Sequence, residues 1–60
     1  MRIVAVDWED WDENDFVVAQ GTTIVRAFTE ESFQKQLDKL EDEHTHCKIR
    51  PANKYEIYEG

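Results

Sequence analysis

Cysteine is nearly absent from this chain: Cys47 stands alone, so no internal disulfide can form. That matters at 60 residues, because a chain this short hides only ~60% of its extended surface on folding and commonly leans on bridges or a structural metal. A lone thiol points to a reducing, cytoplasmic setting. Long apolar runs are also missing. Nothing approaches the ~18 residues that would span a bilayer, and the N-terminus lacks the basic and then apolar regions of a signal peptide, so no membrane partner is expected. Two glycines and one proline are too scattered to mark a linker, and residues 1–60 read as a single domain. Basic residues are scarce as well, seven Lys and Arg against fourteen Asp and Glu, for a net charge of -7. Direct binding to nucleic acid is therefore not expected.

The negative charge is concentrated. Asp7, Glu9, Asp10, Asp12, Glu13 and Asp15 fall within nine residues that contain no Lys or Arg, and the rest of the chain is close to neutral. A segment of this kind suits a positively charged partner.

Residues Arg2 to Trp8 are short, β-branched and alternating, which predicts a strand, with Val4, Val6 and Trp8 on one face and Ile3 and Ala5 on the other. Asp12 to Asp15 predict a turn. A second strand is expected from Phe16 to Gln20, and Gln20-Gly21 between FVVA and TTIVRAF predicts a tight hairpin into a third. That hairpin would set Asp15 opposite Arg26 and Phe16 opposite Val25. Thr29 offers an N-cap, Glu30 and Glu31 suit a first helical turn, and Phe33, Leu37 and Leu40 make one apolar stripe, so a helix is expected from Glu30. Glu41, Asp42 and Glu43 oppose the dipole at its far end. Cys47 to Arg50 is a short strand candidate, Pro51 to Asn53 a turn, and Tyr55 to Glu59 an alternating last strand with Tyr55 and Tyr58 on opposite faces. The expected fold is α+β: an antiparallel sheet of three to five strands with one α-helix across one face, in the order β-β-β-α-β(β).

Catalytic constellations are lacking. Ser32 is the only serine; Cys47 with His44 or His46 has no evident oxyanion site, and so short a chain leaves little room to enclose a substrate. No cofactor and no catalytic residue is expected. Asp10, Asp12 and Asn14 match the first, third and fifth positions of a calcium loop, but Asp15 stands where glycine is needed and Gly21 where a bidentate Glu is needed. His44, His46 and Cys47 form an H-x-H-C cluster of metal-ligating types without the second half of a zinc pattern. The feature with most functional content is the tryptophan-bearing acidic segment. An outward-facing Trp11 ringed by carboxylates has the composition of a docking hot spot for a basic surface.

In whole-chain size, α+β order and the DWEDWDEND segment, the sequence resembles, at the level of class, the small acidic proteins with which bacteriophages and mobile elements disable host machinery, anti-CRISPR proteins and DNA mimics among them. The resemblance implies a mechanism in which carboxylates stand in for phosphates in a basic groove, and, for a phage-encoded chain, the host cytoplasm as its setting. The expected function is thus a non-catalytic inhibitor that binds a positively charged protein surface, including that of a nucleic-acid-binding complex, through Glu9, Asp10, Trp11, Asp12, Glu13 and Asp15. The alternatives are an accessory domain that forms a homodimer through a sheet edge, its acidic loop serving only solubility, and a small metal-binding protein using His44, His46 and Cys47.

Overall fold

The computed structural model describes residues 1–59, with side chains described through Ile57. Its order is β1 (Arg2–Trp11), β2 (Val17–Ala27), α1 (Glu30–Glu43), β3 (His46–Pro51) and α2 (Lys54–Glu59). The strands form one antiparallel sheet in the order β2-β1-β3, so the fold is α+β, a three-stranded sheet with a helix across one face.

The central strand is β1, which carries apolar residues on both faces. Val4 and Val6 face α1, and with Val25, Ala27, Phe33, Leu37 and Leu40 they form the buried core. Thr29 caps α1 by accepting from the Ser32 amide at 3.1 Å. Phe33, Leu37 and Leu40 are the three buried residues of that helix, so the apolar stripe read from their spacing is the face that packs. Gln36 anchors the helix further, donating to the Arg26 carbonyl at 2.8 Å. At the start of β1 the Arg2 guanidinium lies 3.8 Å from the centre of the Phe33 ring and pairs with Glu30.

Gly21 is where the structure departs most from the sequence expectation. The two runs expected as separate strands are one, and Gly21 sits inside it, opposite Trp8. Arg26 consequently pairs with Ile3 and Val25 with Val4, rather than with Asp15 and Phe16. The glycine serves close approach, not reversal: a Cβ at that position would lie 2.6 Å from Cζ2 of the Trp8 indole. The reversal falls earlier, between β1, which runs on to Trp11, and β2.

The last segment also differs. Residues expected as a strand from Tyr55 to Glu59 are the helix α2, so Tyr55 and Tyr58 do not alternate across a sheet; the Tyr58 side chain lies outside the described residues. A reciprocal cap explains the outcome. Asn53 donates its amide to Glu56 Oε1 at 3.0 Å, and Asn53 Oδ1 accepts from the Glu56 amide at 2.9 Å. This helix covers part of the sheet face remote from α1. There Arg26 Nη2 donates to the Ile57 carbonyl at 2.6 Å. Arg50 holds Asp7 through Nε at 2.7 Å and grips both Glu56 oxygens at 2.8 Å.

Two packing predictions follow. Leu37→Ala should destabilise the protein by ~2 to 5 kcal/mol in denaturant unfolding, the range for a buried leucine that leaves a cavity; a loss well under ~1 kcal/mol would contradict the stripe. Gly21→Ala should cost ~1 to 3 kcal/mol by overpacking. The change should appear in the indole fluorescence of Trp8, whereas a hairpin-turn glycine would leave Trp8 undisturbed.

Candidate acidic docking end

The reversal between β1 and β2 is tightly specified. Asp12 accepts at its carbonyl from the Asp15 amide at 3.0 Å, and its own amide donates to the Phe16 carbonyl at 2.9 Å. Its carboxylate works inward too, as Oδ1 accepts from the Asn14 amide at 2.8 Å and the Phe16 amide at 3.0 Å. Asp15 takes a left-handed conformation with φ 64°, the position a three-residue hairpin loop usually gives to glycine. The acidic loop is therefore an ordered turn with two of its acids committed to its shape, and Glu13 exposed between them.

Behind the turn, the other predicted residues separate by face. Asp10 lies on the α1 side, where His44 Nδ1 is 2.9 Å from its Oδ1. Glu9 lies on the opposite side with Asp7, Gln20, Thr22, His46 and Lys48, around an open trough of about 400 Å³. Trp11 ends β1 with 39% of its surface exposed, its ring centre 5.9 Å from that of His46. Its amide donates to Thr45 Oγ1 at 2.9 Å, which ties the hairpin to the end of α1. Trp11 thus has the exposure a docking anchor needs, while Trp8 does not. The Trp8 indole is half-buried over Gly21, donates to Thr23 Oγ1 at 3.1 Å, and stacks on His44 with centroids 3.9 Å apart and planes 12° from parallel.

This stack adds something absent from the sequence expectation. By seating His44 on Trp8 and beside Asp10, it brings the end of α1, with exposed Glu41, Asp42 and Glu43, to the same end of the molecule as the acidic turn. Two acidic stretches distant in sequence become one acidic end. The three carboxylates opposing the dipole of α1 were the available signal, but nothing local specified where that end would point. Conversely, Asp7 leaves the acidic group, since Arg50 lies against it. The Arg50 guanidinium and the Thr22 hydroxyl hold its carboxyl below the usual range.

The H-x-H-C cluster is dispersed. His44 serves Trp8 and Asp10, His46 stands near Trp11 on the other side of the sheet, and Cys47 packs against the core with Sγ donating to the Leu40 carbonyl at 3.6 Å. Among the described residues no three His, Cys, Asp or Glu side chains are grouped to hold a metal ion. Burial, with help from Glu41 and Asp10, pushes the Cys47 thiol above its ordinary value, which disfavours the thiolate a nucleophile needs. Of the calcium-loop candidates, Asp10 and Asp12 are engaged by His44 and by backbone amides. No described helix is long and apolar enough to cross a membrane. No family model, no curated protein and no solved structure matches the chain.

Acid should release α2 from the sheet. Glu56 is depressed to about 2, chiefly by its Arg50 bonds and then by the Asn53 cap. Because its folded value is below its unfolded one, the stabilisation is complete above about 4.5 and is lost as pH falls toward about 2. Wild type should therefore be more stable than Glu56→Gln at neutral pH, with the gap closing through that window. A pH-independent gap in unfolding free energy would contradict the ion pair.

Proposed function

We propose that this protein is a non-catalytic binding protein that docks its acidic end on a positively charged surface of another protein and blocks that surface. One observation carries the reading: the acidic turn that follows the exposed Trp11 and the end of α1 from Glu41 to Glu43 lie at the same end of the molecule. Carboxylates at such an end raise the association rate and reject acidic partners, while the indole supplies apolar contact area. Nucleic-acid-binding proteins are the natural class of target, because a groove built for phosphates also accepts carboxylates. Inhibition, rather than mere association, is what the resemblance to small acidic inhibitors adds.

The test must spare the acids that hold the fold. Neutralising Glu9, Glu13, Glu41, Asp42 and Glu43 to their amides leaves Asp10 on His44 and Asp12 in its turn. A target captured by wild type at low salt should be released by moderate salt and by competing duplex DNA, and the five-fold variant should bind it at least about tenfold more weakly with a flatter salt dependence. Equal capture by a folded neutral variant, unaffected by salt, would end the proposal.

A further inference from the structure

The sheet has two edges of different construction. Strand β3 is short and carries Lys48, Arg50 and Pro51, features that discourage pairing with another strand. Strand β2 runs for eleven residues with Arg26 as its only charge and no proline, and among the described residues no strand lies on its side away from β1. Its residues are also symmetric about Gly21: Gln20 and Thr22, Ala19 and Thr23, Val18 and Ile24, Val17 and Val25. A two-fold antiparallel pair requires such self-complementarity, because each residue meets its partner twice.

We infer that the free edge of β2 pairs antiparallel with the same edge of a second copy, with Gly21 on the two-fold axis, to give a six-stranded sheet with both α1 helices on one face. Three features favour this occupant and this register. Val18 is 64% exposed in the single chain, and the register sets it level with Ile24 of the other copy. A groove of about 350 Å³ is lined by Thr23 and Val25 of β2, by Gln36, Lys39, Leu40 and Glu43 of α1, and by His44 at the helix end, so it lies on the β2 side of the helix. The same register brings Ala19 of the second copy level with Thr23 in that groove. The bulge opposite Asp10 and Trp11 falls at Val18, so β2 is regular from Ala19 through the axis. Charge selects the antiparallel sense: each acidic end lies toward the other copy's Arg2 and Arg26, and the two acidic ends stay at opposite extremes.

Sedimentation equilibrium decides it. Wild type should show a concentration-dependent monomer–dimer equilibrium that tightens as salt screens the net charge of -7 on each copy. Val18→Lys, at an exposed position, should weaken self-association at least about tenfold without altering the circular dichroism of the monomer. Ile49→Lys on β3 should leave it unchanged. In a mixed-label sample, an intermolecular nuclear Overhauser contact between Val18 and Ile24 methyl groups should mark the register. Monomeric wild type at every accessible concentration, undiminished dimers in Val18→Lys, or a dimer without the Val18–Ile24 contact would each overturn the inference.

Discussion

The seat of Trp8 is the constraint on which the rest depends. Its indole lies across the bare Cα of Gly21 on β2, is anchored by Thr23, and presents its outer face to His44 at the end of α1. One side chain of the central strand thereby joins an edge strand to the helix terminus, at the end of the molecule that lacks core residues. Fully burying a large apolar side chain contributes ~1.5 to 3 kcal/mol, so the half-buried indole contributes roughly half of that, and a stacked pair adds ~0.5 to 1.5. In so small a domain that is a substantial share of the whole.

Something must oppose the charge gathered there. Two exposed carboxylates ~7 Å apart repel by about 0.6 kcal/mol in a water-like dielectric, less with salt, so several such pairs approach the worth of the Trp8 seat. The repulsion is trimmed locally. Arg50 covers Asp7, His44 sits on Asp10, and Asp12 spends its Oδ1 on two backbone amides. Uncompensated charge remains on Glu9, Glu13, Asp15 and the end of α1, none of which has an ion-pair partner among the described residues. Charge left unpaired on an ordered turn is strain that a cationic surface would relieve.

Legibility from sequence tracked how local each determinant was. The α1 stripe of Phe33, Leu37 and Leu40, its Thr29 cap and the alternation of β1 need only neighbouring residues, and all three reappear in the structure. Gly21 was misread because glycine suits a turn and a point of close approach equally well; only the partner strand, which sets Trp8 against it, decides between them. Tyr55 to Glu59 is too short for alternation and helical period to be told apart. Asn53 and Glu56, at capping-box spacing, were the better guide. In the acidic site, the residues from Glu9 to Asp15 were legible as a charged block. Their division into fold-holding and free carboxylates was not, because it turns on the detailed geometry of the Asp12 turn and on the His44 contact to Asp10, and neither was the arrival of Glu41 to Glu43, which follows from the tertiary contacts of His44.

The acidic end and the free edge of β2 lie close together yet respond oppositely to salt, which makes them separable and gives their combination a definite consequence. Ions weaken attraction between the acidic end and a cationic surface, whereas they relieve repulsion between two copies of a chain with charge -7. Antiparallel pairing through β2 would set two acidic ends at the extremes of one continuous sheet, rigidly spaced and facing away from each other. Such a particle engages two basic sites at once only when they match that spacing, and then gains avidity without any new contact. A target with two-fold symmetry, as many nucleic-acid-binding dimers have, meets that requirement in a way that scattered basic proteins do not. Geometry could then confer a selectivity that charge alone cannot, since any cationic surface attracts a single acidic end.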